Sequence, residues 1–343
     1  MSDTTRLLAE TAERLFADHA TRATQDAMER GEFPHALWDA MAETGLTMAA
    51  APEEAGGAGL GLEDVLALVR VAGAHALPAP LVETLLAQCL LASVGLEPPE
   101  GVLTIAPVLR SDAPGFAGGR LPGLARRVPW ARHAAAVVVV AAGQVVLAGP
   151  PRVVALAANH ANEPRDTVLL DETPVLASAP GTPPLREWGA LFRANAMAGA
   201  LQRCTAMSLT YARDRVQFGR PIAKFQAVQH QIALLASQAA AARVAAEAAA
   251  RAAAAGPASF QVAAAKVRVG EAATQGAAIA HQVHGAMGFT HEHTLHHATR
   301  RLWSWREEFG NEAEWAARLG ALVRQAGGAG LWPLVADFSA SPG

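Results

Sequence analysis

Apolar residues recur through the first hundred positions at the three- and four-residue spacing of helices with one buried face. Leu7, Leu8, Leu15 and Phe16 follow it, and Phe33, Leu37, Met41 and Leu46 repeat it. Pro78 and Pro80 mark a turn before another helical run from about Leu81 to Val94. From Val102 to about Ala179 the pattern becomes short β-rich runs: VLTIAPV (102–108), ARRVPWA (125–131), AAAVVVVAA (134–142), QVVLAG (144–149), RVVALAA (152–158) and TVLLDETPV (167–175). Gly and Pro between them at close intervals favour an antiparallel sheet or small barrel over a parallel one. From Arg186 to about Gln325 the chain reads as long Ala-rich helices, 187–218, 222–255 and 258–287. Their short connections predict a four-helix bundle. The expected fold class is α+β, with an N-terminal helical domain at 1–98, a small antiparallel β domain at 99–182, a helical bundle at 183–327 and a loose tail at 328–343.

Composition narrows the function classes. The 343 residues are 51% hydrophobic and 17% charged, enough apolar material for two or three buried cores. A net charge of −3 gives no general pull toward nucleic acid or an anionic membrane, and Arg300, Arg301 and Arg306 make too small a basic cluster to reverse that. No apolar run is expected to act as a membrane span, and the N-terminus begins as an amphipathic helix without a signal-peptide core. Cys89 and Cys204 lie far apart and read as small core residues of a reducing compartment, so a cytoplasmic location is expected. The glycine-rich loop PEEAGGAGLGLED (52–64) follows no strand and lacks Lys-Ser/Thr, which argues against a phosphate-binding loop.

The chemistry-bearing stretch is YARDRVQFGRPIAKFQAVQHQ (211–231). Pro221 cannot continue a helix, so Phe218-Gly219 is expected to close the preceding one. Arg215 and Phe218 stand one turn apart with Gln226 beyond, a trio suited to a flat anionic cofactor: guanidinium for phosphate, ring for stacking, amide for orientation. The same spacing also fits a surface Arg and a core Phe at a tight helix–helix corner. A histidine group, His281, His284, His291, His293, His296 and His297, includes a pair four residues apart, but without an HExxH arrangement no metal site is expected.

Three ordered motifs resemble the acyl-CoA dehydrogenase family across nearly the whole chain. LWDAMAETGL (37–46) with PEEAGGAGLGLED resembles its N-terminal domain, RDRVQFGRPIAKFQAVQH (213–230) its most recognisable C-terminal motif, and QVHGAMGFTHEH (282–293) its second C-terminal signature. The resemblance, closest to short bacterial members including a heteromeric or degenerate branch, implies FAD held at a subunit interface. Arg215, Phe218 and Gln226 would then meet FAD from one motif, and Gln282 and Gly285 from the other, although helix capping also explains the last two. It further implies an acyl-CoA substrate and an electron-transfer flavoprotein as acceptor. The assembly would be a homodimer, homotetramer or heteromer with a related subunit.

The catalytic carboxylate is where the sequence departs from the family. The two places where members carry the base fall on Phe309 and Gly189. Glu308 is the substitute candidate, with Glu307 and Glu312 nearby; pairing with Arg306 at a solvated helix end is the alternative. Glu187 falls at a substrate-contact position, or is simply a helix N-terminal charge. The β domain lacks the Ser-containing flavin run in IAPVLRSDAPGFAGG (105–119), leaving Trp130 as a residue that would flank the flavin or sit in the core. The expectation is an FAD-dependent acyl-CoA dehydrogenase, with a non-catalytic, FAD-pocket-completing subunit of a heteromeric dehydrogenase as the alternative.

Overall fold

The apolar spacing of the first hundred residues folds as helices α1 (Asp3–His19), α2 (Arg22–Glu29), α3 (His35–Glu43), α4 (Leu62–Ala74) and α5 (Leu81–Ala92). Phe16, Leu37, Met41 and Leu46 are fully or almost fully buried, as their periodicity requires. The computed structural model describes residues 3–107 and 115–336. Part of the 105–119 run therefore lies outside the described residues.

Strands follow: β1 (Leu103–Ile105), β2 (Leu124–Pro129), β3 (Ala136–Ala141), β4 (Gln144–Ala148), β5 (Arg152–Ala155), β6 (Arg165–Leu169) and β7 (Val175–Pro180). They form a four-stranded sheet in the order β1-β3-β4-β7 and a three-stranded sheet in the order β2-β6-β5. All pairings are antiparallel except β1 with β3. That one parallel pair departs from the expectation. The connection from Ile105 to Ala136 is long enough for the crossover that parallel strands need. Val128, Val137, Val139, Val146, Val168 and Leu170 share one apolar core, so both sheets take their stability from it.

The helical half contains α6 (Leu185–Asp214), a short hairpin of β8 (Val216–Gln217) and β9 (Arg220–Pro221), then α7 (Gln226–Ala255), α8 (Ser259–His284), α9 (Leu295–Glu307) and α10 (Glu312–Ala336). Buried alanines on α7 and α8 let those helices pack closely, and α9 and α10 both lie on α8. A Cβ on Gly276 of α8 would stand 2.5 Å from the Leu201 Cδ2 of α6, so a larger residue there would have to push that side chain aside. By length and hydropathy α7 passes for a membrane span, but among the described residues one of its faces packs on α8 and it carries Arg243, Glu247 and Arg251.

The chain divides into two compact units, Met1–Leu68 with Pro78–Gly189, and Val69–Leu77 with Ala190–Gly343. This differs from a boundary at 98/99. Thr84 on α5 exchanges two 3.2 Å hydrogen bonds with the backbone of Leu103 on β1, tying helix to sheet. The end of α4 belongs with the bundle, because a Cβ on Gly73 would come within 2.0 Å of the Ala196 carbonyl. The tail expected at 328–343 begins, over 328–336, as part of α10. There α10 continues past a kink at Gly327 (φ 71°, ψ 175°) and buries Leu334. The remainder of that tail lies outside the described residues.

Candidate functional site

Two of the sequence motifs meet at one end of the bundle. α6 stops at Asp214, four residues earlier than expected, and Phe218-Gly219 forms the tip of the β8–β9 hairpin instead of a helix cap. Both residues have positive φ, 53° and 77°, as a two-residue hairpin turn with right-handed strand twist requires. The hairpin is anchored by Ile222 N–H donating to the Arg215 carbonyl at 2.8 Å. Phe218 is 92% exposed, so the core-Phe alternative fails. Its ring meets Phe225 edge-on at 6.1 Å, and the Arg220 guanidinium lies 4.3 Å over the Phe225 ring. Arg215 and Gln226 are exposed beside it, Gln226 as the first residue of α7.

An apolar cluster of Ala212, Ile222 and Val283, with Phe225, Val228 and Ile279, ties this hairpin to the end of α8. Gln282 is exposed there, and Gly285 caps the helix with φ 59° and ψ −143°. Nothing lies within 4 Å of where a Gly285 Cβ would be, so backbone and open space are presented together. Arg215, Phe218, Gln226, Gln282 and Gly285 thus share one end of the fold, although two connected helices separate the motifs in sequence.

Mostly buried histidines pack beside it. Tyr211 stacks on His284 at 4.5 Å, and His293 meets His284 at 4.6 Å. His284 donates Nδ1–H to the Ala280 carbonyl at 2.8 Å, which leaves its Nε2 as a buried acceptor. His281 stacks between Phe289 (4.3 Å) and Trp303 (5.7 Å) and bonds Thr299 through Nε2 at 2.9 Å. These rings border a cavity of about 260 Å³. Burial is the leading cause that holds His281, His284 and His293 below the usual imidazole range, favouring the neutral form of each.

The carboxylate candidates are engaged in structural contacts. Glu308 caps α9 and accepts from Arg193 Nε at 2.6 Å. The Arg193 side chain is 3% exposed and that of Glu308 18%, so this is a largely buried ion pair and not the Arg306 pairing considered from sequence. Arg306 instead forms a bidentate contact with Glu312 at 2.9 and 2.8 Å, and a longer one with exposed Glu307. Burial raises the Glu312 carboxyl, but its bond to Arg306, a backbone N–H bond and the charges of Arg306 and Lys266 together outweigh that and hold it below the usual range. Phe309 has φ 57°, with its carbonyl accepting from Trp315 Nε1 at 3.0 Å; Gly189 is buried and Glu187 lies in the first turn of α6. Trp130 is buried edge-on against Phe33 at 6.3 Å, a core residue and not a flavin flank. The glycine-rich 52–64 loop spends its N–H groups internally, with Gly59 and Leu60 donating to Ala51 and Ala49.

Lys266 and Arg193 were not singled out from sequence. Lys266 is 1% exposed on α8 and donates to the Arg306 carbonyl at 2.6 Å. The available signal was position: Lys266 follows Val262 by four and precedes Val269 by three, on the buried stripe of the helix.

Comparison with known proteins gives the family and the fold. The family model for the acyl-CoA dehydrogenase C-terminal domain matches residues 187–313, and that for the N-terminal domain residues 2–97. The acyl-CoA dehydrogenase IpdE2 of Mycobacterium tuberculosis is 33% identical over 85% of this chain and 88% of its own length. The Tcur3481-Tcur3483 steroid ACAD superposes with a TM-score of 0.85 at 27% identity, covering 94% of this chain and 98% of that one. The ChsE4-ChsE5 complex from Mycobacterium tuberculosis gives a TM-score of 0.85 at 25% identity, covering 94% and 97%.

Proposed function

The chain belongs to the acyl-CoA dehydrogenase family, and from that premise we infer that it takes part in FAD-dependent α,β-dehydrogenation of an acyl-CoA thioester. The product is the 2-enoyl-CoA, with electrons passed to an electron-transfer flavoprotein. Bound FAD supplies the hydride acceptor for the β carbon. The observation that carries this reading is the convergence of Arg215, Phe218, Gln226, Gln282 and Gly285 on one end of the bundle, joined by the cluster around Ile222 and Val283.

Each residue type fits a part of that cofactor. The Arg215 guanidinium matches a pyrophosphate, the outward Phe218 ring a stacking partner, and the Gln226 and Gln282 amides orient polar edges. Gly285 lets backbone approach where a side chain would intrude. A phenyl ring 92% exposed at a hairpin tip is presented away from its own chain, which supports a nucleotide shared with a second subunit, in a homodimer, homotetramer or heteromer.

A second reading is favoured by the ion pair at the α9–α10 turn. Removing a proton alpha to the thioester needs a carboxylate aimed at that carbon. Phe309 and Gly189 offer none, and Glu308 is held by Arg193. In this reading the chain completes the FAD pocket of a heteromer and a related subunit supplies the base. The ChsE4-ChsE5 complex supports such two-component assemblies among structural relatives. Purified chain that carries FAD supports the flavoprotein reading; chain that stays colourless through reconstitution, alone and with a related subunit, removes it. Anaerobic flavin bleaching by acyl-CoA in the single chain assigns the base here. Bleaching only on co-expression with a related subunit assigns it to the partner.

A further inference from the structure

The turn between α9 and α10 is gripped by charges from α6, α8, α9 and α10. Lys266 of α8 places Nζ 2.6 Å from the Arg306 carbonyl and 3.4 Å from that of Trp305. These are last-turn carbonyls of α9 at the negative end of its dipole; that of Trp305 also accepts the Glu308 N–H at 3.3 Å. Glu308 is bound to Arg193 of α6, and Glu312, in the first turn of α10, is bound to Arg306. Between them lie Phe309 and Gly310, at φ 57° and 102°.

We propose that Lys266 is a positioning residue: its ammonium, seated on the end of α9 and faced by Glu307, Glu308, Glu312 and Arg193, sets the placement of the Glu308–Gly310 turn. The inference rests on the dehydrogenase reading, because the family resemblance puts a catalytic position at Phe309 in this turn. The charge is adjustable. Burial pulls the Lys266 amine down to about 8, against opposing pulls from Glu312, then Glu308 and Glu307, with Arg193 adding to the fall. The Glu312 carboxyl is held low and the Arg306 guanidinium is raised by its bond to Glu312, so neither changes charge in that range. Losing the proton from Lys266 removes the cation that draws α8, the α9 carbonyls and the turn carboxylates together.

Tryptophan emission reports on this turn without any turnover. Trp315 donates Nε1 to the Phe309 carbonyl at 3.0 Å, and the Arg193 guanidinium lies 5.7 Å over Trp305. Titration of the FAD-loaded protein is expected to change emission with a midpoint near pH 8. The rate of anaerobic flavin bleaching by an acyl-CoA, measured with any partner subunit the active complex contains, is expected to change at the same midpoint. Lys266→Met abolishes both transitions. Glu312→Gln keeps the amine but removes its strongest supporting charge, and moves both transitions to lower pH. A bleaching profile that is the same in the native protein and both variants overturns the positioning role, as does native emission that is flat across this range. If no acyl-CoA bleaches the FAD-loaded complex, the proposed activity fails instead, and the emission titration alone decides whether Lys266 sets the turn.

Discussion

Glu308→Gln separates a structural carboxylate from a catalytic one. The substitution keeps shape and one hydrogen-bond acceptor but removes the negative charge facing Arg193, whose side chain is 3% exposed. Breaking one partner of a buried ion pair costs about 3–5 kcal/mol. Because the Glu308 side chain retains 18% exposure, water reaches part of the gap and the expected loss falls just below that range, at about 2–3 kcal/mol. At about 2–4 °C per kcal/mol for a unit of this size, the melting transition falls by roughly 5–10 °C. Bleaching by acyl-CoA in the assembled complex should be nearly unchanged below that transition. Loss of a general base instead lowers the rate by about 10²–10⁴ while leaving thermal stability alone. Arg193→Met combined with Glu308→Gln should recover part of the lost stability, because no uncompensated charge is left behind. A variant that melts normally yet bleaches 10²-fold more slowly refutes the structural assignment and makes Glu308 the base.

Arg215→Ala should weaken FAD retention about 10- to 100-fold, the loss of one charge-assisted contact, with little change in melting because Arg215 is exposed; flavin content equal to the native protein removes Arg215 from the pocket. Acidification should destabilise the fold. His281, His284 and His293 are held below their usual 6.5, so between that value and their folded values the unfolded chain binds more protons. Their contribution is fully present above about pH 6.5 and is lost as pH falls, at up to about 1.4 kcal/mol per pH unit for each group; a melting temperature that is level from neutral pH to about pH 5 contradicts this. Gly73→Ala would place a Cβ 2.0 Å from the Ala196 carbonyl, and the forced shift should cost about 1–3 kcal/mol. An unchanged denaturant midpoint for that variant would mean that α4 and α6 are not in such close contact.

The parts of the fold legible in sequence were those governed by periodicity. Phe16, Leu37 and Met41 follow helical spacing and are buried, and the Val137–Val140 run forms β3. What escaped was governed by partners distant in sequence. A hairpin and a helix cap both use Gly219 after an apolar residue, and only the pairing of Val216 with Pro221 decides between them. Parallel pairing of β1 with β3 likewise depends on a crossover that no local pattern records. The FAD-contact candidates were visible as two motifs, but their convergence follows from how α7 and α8 fold back on one another. Glu308 was visible as a carboxylate and not as the mate of Arg193, which stands 115 positions away. Trp130 gave no sign of its burial, because a tryptophan suits a core and a ring-binding site equally well.

The hairpin tip has a consequence for how tightly any guest is held. Phe218 adopts a left-handed backbone, a conformation that costs a non-glycine residue of order 1 kcal/mol and persists because the flanking strand pair enforces it. The backbone that carries the ring is therefore settled before anything arrives. A ring on a limp loop would surrender its freedom at the moment of contact, whereas this one has little left to surrender. The order already built into the hairpin thus reappears as slower release of whatever comes to lie against it.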